Sequence, residues 1–102
     1  MTDLLVRNPE LGRALAHTLA DKPVALMRGH GNVVIGSTIP LAVYRAIYTE
    51  VNARLQVHAI LLGGAITYLE PEESRLVTNN VASHVNRPWE LWKRKALGKA
   101  DA

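Results

Sequence analysis

The stretch RGHGNVVIG, residues 28 to 36, holds one imidazole between two glycines, just ahead of an apolar, β-branched run. Small neighbours let a bulky metal ion or substrate approach His30 closely, and an ordered strand on each side fixes its direction. The competing reading is an ordinary turn histidine, solvated or bonded to backbone. A phosphate-cradling loop is excluded, because the dinucleotide fingerprint requires glycine where Val34 stands and no P-loop lysine follows. No other histidine stands two, three or four residues from a second one, so His17, His58 and His84 read respectively as a solvated helix residue, a core or subunit-contact residue and a loop residue. Tyr44 and Tyr48 lie one turn apart, where a proton-donating tyrosine is conceivable and packing is the simpler account. Trp89 and Trp92 with Lys93, Arg94 and Lys95 offer stacking and charge to an acidic ligand or RNA. The plainer account is helix docking, with cations at the favourable helix end.

These residues are positioned by elements that the pattern makes legible. Asn8 before Pro9 starts a helix that Leu11, Leu15 and Leu19 continue to about Ala20. VALM at 24 to 27 and NVVIG at 32 to 36 read as two strands joined by the tight RGHG turn. Thr38 caps the longest helix, which tolerates Pro40 in its first turn and runs to Gly63 and Gly64. Ile39, Val43, Ile47, Val51, Leu55, His58 and Leu62 form a stripe along it, and this face is expected to be buried. AITYL at 65 to 69 reads as a short extended segment and possible third strand. PEESRLV and RPWELWKRKAL each start a helix, with TNNVASHVN between them a loop or frayed helix.

The span ALMRGHGNVVIGSTIPLAVYRAIYTEVNARLQVHAILLGG resembles the class II aldolase/adducin family, with its strand, HG pair, second strand closed by glycine, and long helix ending in paired glycine. The likeness extends upstream through NPELGRALAHTLAD and downstream into AITYLEPEE. It implies an α/β fold, a partial three-layer α/β/α sandwich lacking its N-terminal half. Residues 1–102 would form the C-terminal portion of such a domain, with a core at 4–70 and a helical tail at 71–102. In that family the histidine of the pair is the third protein ligand of a divalent metal, usually zinc, and His30 is the residue that matches. The family's other two ligands form an earlier His-x-His, which this sequence does not contain; it likewise lacks the upstream acid/base glutamate and the upstream phosphate-holding loops. A gene fragment or a late start codon would account for this.

The family implies aldol cleavage, epimerisation, dehydration or decarboxylation through a metal-stabilised enediolate. Its substrate is a small carbonyl compound, hydroxy acid or sugar phosphate, and it works as a homo-oligomer. Catalytic zinc takes three protein ligands and one open position, so these residues alone are expected to bind metal weakly and to be inactive. The second expectation is a non-catalytic, adducin-like assembly domain.

Bulk properties set the outer limits. A chain of 102 residues makes one domain at most, with 48% hydrophobic and 21% charged residues, far from a disordered profile. The absence of cysteine removes disulfides, thiolate metal sites and cysteine nucleophiles, and fits a reducing cytoplasm. The start MTDLLVRNPEL has no signal-peptide pattern, and no apolar run approaches a membrane span. A net charge of +3 is only mildly basic, and with no recognised motif it gives nucleic acid little support.

Overall fold

Residues 2–98 are described by a computed structural model, in the order α1 (Pro9–Leu19), β1 (Val24–Met27), β2 (Gly31–Val34), α2 (Ile39–Leu61), α3 (Pro71–His84) and α4 (Asn86–Ala96). The last four residues of the expected tail, 99–102, lie outside the described residues. The first two helices begin as their capping residues dictate. Asn8 Oδ1 accepts the Leu11 N–H at 2.9 Å, and Thr38 Oγ1 accepts the Leu41 N–H at 3.3 Å. The strands form one antiparallel pair in the register Val24↔Val34, Ala25↔Val33, Leu26↔Asn32 and Met27↔Gly31. Helix α1 contacts β1, and α2 contacts β2.

The junction between hairpin and α2 is held by a close backbone approach. A Cβ added to Gly36 would lie 2.6 Å from the Ala42 backbone nitrogen, so only glycine lets the chain pass there without a shift. Beside it, Arg45 Nη1 donates to the Ile35 carbonyl at 2.8 Å. At its other end α2 gives way to Gly63 and Gly64, whose φ values of 75° and 80° belong to the left-handed region that glycine favours.

Three expectations need correction. AITYL makes no strand: Gln56 Nε2 donates to the Tyr68 hydroxyl at 3.0 Å, tying this segment to α2 rather than to a sheet edge. TNNVASHVN is helical through His84, breaking only around Val85 before α4 begins. Its hydroxyls fold back along the helix, Thr78 Oγ1 donating to the Ser74 carbonyl and Ser83 Oγ to the Asn80 carbonyl, so they do not compete with the helical backbone. The α2 stripe is not buried as one face. Val43, Ile47 and Val51 are half-buried, while Ile39, Leu55, His58 and Leu62 are exposed, Leu62 to 87%. The physical reason is that α3 does not fold over the second half of α2; its residues are exposed except Val81, which is half-buried.

Ala25 and Val85 are the only buried apolar residues among those described, and each keeps a little exposure. The chain exposes 8478 Å², where a compact protein of this mass leaves roughly 5,700 Å². Its radius of gyration is 16.6 Å, against roughly 13 Å for a compact domain of this length. The result is a mixed helix and strand architecture, compatible with an α/β fragment, in which one two-stranded sheet meets α1 and α2. Helix α4 is held to α2 by an aromatic cluster. The Tyr44 and Tyr48 rings stack at 4.5 Å, and Trp92 lies 6.1 and 6.5 Å from them. The tyrosine pair and Trp92 therefore pack, as the plainer reading of each required.

Two glycine substitutions separate packing from propensity. Gly36→Ala should destabilise the chain by about 1 to 3 kcal/mol, through overpacking against backbone. Gly12→Ala, with open space around its Cβ inside α1, should stabilise it by up to about 1 kcal/mol. Denaturant midpoints measure both. The cluster also predicts a pH effect. Burial, and then the neighbouring Tyr48, raise the Tyr44 pKa above its usual value of 10.0. The neutral phenol is thus favoured in the folded state, a contribution fully present below pH 10.0 and lost as pH rises through the raised value. The denaturation midpoint should fall in that alkaline range, and fall less in Tyr44→Phe.

Candidate functional site

The hairpin turn presents His30 by backbone constraint. The His30 N–H donates to the Met27 carbonyl at 3.1 Å, closing a turn in which Gly29 takes φ +66°. Gly31 then enters β2 at φ +153°. Both glycines flanking the imidazole hold conformations that residues with a Cβ rarely adopt, so they are needed for the turn itself as well as for access. Leu4 packs over the first of them, where an added Cβ would come within 2.9 Å of its side chain. His30 is exposed at the tip, and among the described residues no side-chain hydrogen bond occupies its ring.

The other histidines have a common explanation. His17, His58 and His84 stand in the last turns of α1, α2 and α3, where the partial negative charge of the helix end favours a cationic or donor side chain. His58 is exposed rather than part of a core, because the partial cover on that end of α2 reaches Gln56 and Ala59 and not the face His58 occupies. His84 is helical rather than in a loop, with Nδ1 lying 3.0 Å from the Asn80 carbonyl and 2.9 Å from Ser83 Oγ. His30 alone has no helix end to serve.

The basic run follows the same logic. Lys93, Arg94 and Lys95 occupy the last turn of α4, and Lys93 Nζ pairs with Glu90 Oε1 at 2.8 Å. Trp89 is half-buried near the start of that helix. What spacing along the chain did not reveal is a cleft in which Arg87 and Arg94 face the tyrosine pair of α2. The i, i+7 relation of these arginines was its one available signal.

Catalytic zinc takes three protein ligands, and among the described residues no group of three histidines or carboxylates converges. These residues therefore do not by themselves fit a catalytic metal centre; they provide one exposed imidazole on a rigid turn. No described helix is long and apolar enough to cross a membrane.

Known proteins place this geometry in context. The family model for the class II aldolase and adducin N-terminal domain matches residues 2–57, from before α1 through most of α2. Among curated proteins, the chain is 37% identical over 111 aligned positions to "Decarboxylase tropJ" of Talaromyces stipitatus, covering 91% of this chain and 42% of that protein. It is 36% identical over 63 positions to the 3,4-dihydroxyphthalate decarboxylase of Arthrobacter keyseri, covering 62% of this chain and 25% of that enzyme. The enzyme of the same name from Terrabacter sp. is 36% identical over 70 positions, 69% of this chain and 29% of its own length. The chain thus spans between a quarter and about two-fifths of these relatives. With the family match covering more than half of the sequence, including the strand, HG turn, strand and long helix, the chain belongs to the class II aldolase and adducin family.

Proposed function

We propose that these residues form the His30-bearing part of a decarboxylase acting on a hydroxylated aromatic acid. In that reaction the bond between ring carbon and carboxylate breaks, carbon dioxide leaves and a proton takes its place on carbon. The observation that carries the reading is the exposed imidazole on its glycine-braced turn, in a chain whose curated relatives are named decarboxylases. His30 contributes one ligand to a divalent metal, zinc, and the remaining ligands come from residues other than these 102. Aldol cleavage and epimerisation on sugar phosphates are the family's other chemistries, and the relatives' names weigh against them here.

The proposal is tested in a longer protein that carries these residues. His30→Ala should lower bound zinc and decarboxylation together, by roughly 100-fold or more, with an unchanged circular dichroism spectrum. Full metal content in that variant would remove His30 from the site. For the 102-residue chain alone, zinc should be lost on dialysis, since a single imidazole does not hold it. Stoichiometric retention would overturn the one-ligand reading.

Assembly is the second element of the proposal. Leu55, Val57, Ile60, Leu61 and Leu62 are all more than half exposed along the end of α2, and burying apolar surface yields roughly 25 cal/mol per Å². A second copy of the chain is the occupant we expect, with the homo-oligomer as the working form. This surface equally favours an adducin-like assembly module, and the zinc measurement on the longer protein separates the two. Light scattering over a dilution series should show self-association, and a monodisperse monomer at high concentration would exclude it.

A further inference from the structure

We propose that the cleft between α2 and the α3–α4 corner binds a planar aromatic carboxylate. The cleft has a volume of about 850 Å³, within the range of small-molecule sites. One wall is the Tyr44 and Tyr48 pair, stacked at 4.5 Å with 28° between ring planes. Arg87, Leu91 and Arg94, which recur at i, i+4 and i+7 on one face of α4, line the cleft as well. His84 closes the end, and no carboxylate lines the cleft.

Charge decides the class of ligand. Among the described residues neither Arg87 nor Arg94 has an ion-pair partner; Arg13, Arg28 and Arg45 have none either, but only Arg87 and Arg94 stand together in this cleft. Two guanidinium groups without acids between them favour an anion, and their planar fork matches a carboxylate with two parallel N–H···O bonds. The tyrosine rings and Leu91 give the cleft an apolar lining, and an aromatic ligand gains stacked or edge-to-face contact with the rings that an aliphatic one does not. Trp92 does not line the cleft but lies 6.1 and 6.5 Å from the two tyrosine rings, and so reports on them. His30 does not line this cleft. The inference therefore stands apart from the metal-ligand reading and fails or holds separately.

The test uses the 102-residue chain with phthalate, cyclohexanecarboxylate, benzamide and inorganic phosphate as probes, read by calorimetry and by the NMR shift of the Trp92 indole N–H. Phthalate should bind at millimolar concentration or below and move that signal, with each other probe at least roughly tenfold weaker. The double variant Arg87→Gln/Arg94→Gln should weaken phthalate by roughly tenfold or more with helix content unchanged, and Arg87→Lys/Arg94→Lys should recover part of the loss. His30→Ala should leave phthalate binding as it was. The inference is overturned if phthalate does not bind, if phosphate or cyclohexanecarboxylate binds as tightly, or if the double glutamine variant binds equally well. Loss of binding in His30→Ala would also overturn it, by moving the ligand to the turn.

Discussion

The contact between Gly36 and the first turn of α2 is what the rest of this structure hangs on. The chain leaves β2, passes within backbone distance of Ala42 and turns into a helix of 23 residues. Without a side chain at position 36 the hairpin and the helix share one small junction, reinforced by the Arg45 bond to the Ile35 carbonyl and the Thr38 cap. The direction of α2 relative to the hairpin follows from that junction. Through α2 it reaches the aromatic cluster and α4, so one missing methyl group couples the His30 turn to the far end of the molecule.

The second governing fact is surface. Folded proteins of this size gain most of their stability from apolar area removed from water, yet here the hairpin and α2 are covered only in part. Helix α3 is held by local features, including the Glu73 carboxylate accepting the Glu70 N–H at 2.9 Å and the Arg75 guanidinium, whose hydrogen bond holds the Glu72 carboxyl below its usual pKa. Both are exposed and worth little in water. The chain therefore carries an exposed imidazole on a glycine-flanked turn and exposed apolar residues along its helices.

Local rules wrote the local structure legibly. Asn8, Thr38 and the Gly63-Gly64 pair mark their helix ends in the sequence, and the HG turn announces both a hairpin and the exposed position of His30. What periodicity cannot convey is whether a partner surface exists. The stripe from Ile39 to Leu62 has the right spacing for a buried face, and the same spacing arises on a helix whose second half is left largely exposed. AITYL has strand-forming residues and no ladder to join, a fact that depends on distant chain. The polar run TNNVASHVN reads as a loop or frayed helix because it lacks an apolar stripe, whereas Thr78 and Ser83 bond back along a helix that continues through His84. The sequence holds one HG pair and no His-x-His, so it offers one candidate ligand position, and among the described residues no group of three potential ligands converges. The arginine and tyrosine cleft is lined by α2 together with α3 and α4, far from it in sequence, so no single window displays it.

One consequence of the α2 geometry concerns motion rather than chemistry. At about 1.5 Å per residue the helix is roughly 34 Å long, packed near residues 40 to 51 and sparsely covered from Leu55 onward, where only Gln56 and Ala59 are half-buried. Its backbone hydrogen bonds are equivalent in kind but not in what shields them, because opening a packed turn exposes neighbours and opening a bare one exposes only itself. Amide hydrogen exchange should therefore run as a gradient along a single continuous helix, slow beside the aromatic cluster and fast toward Gly63. The protection of its last turns then belongs to whatever surface comes to rest on them.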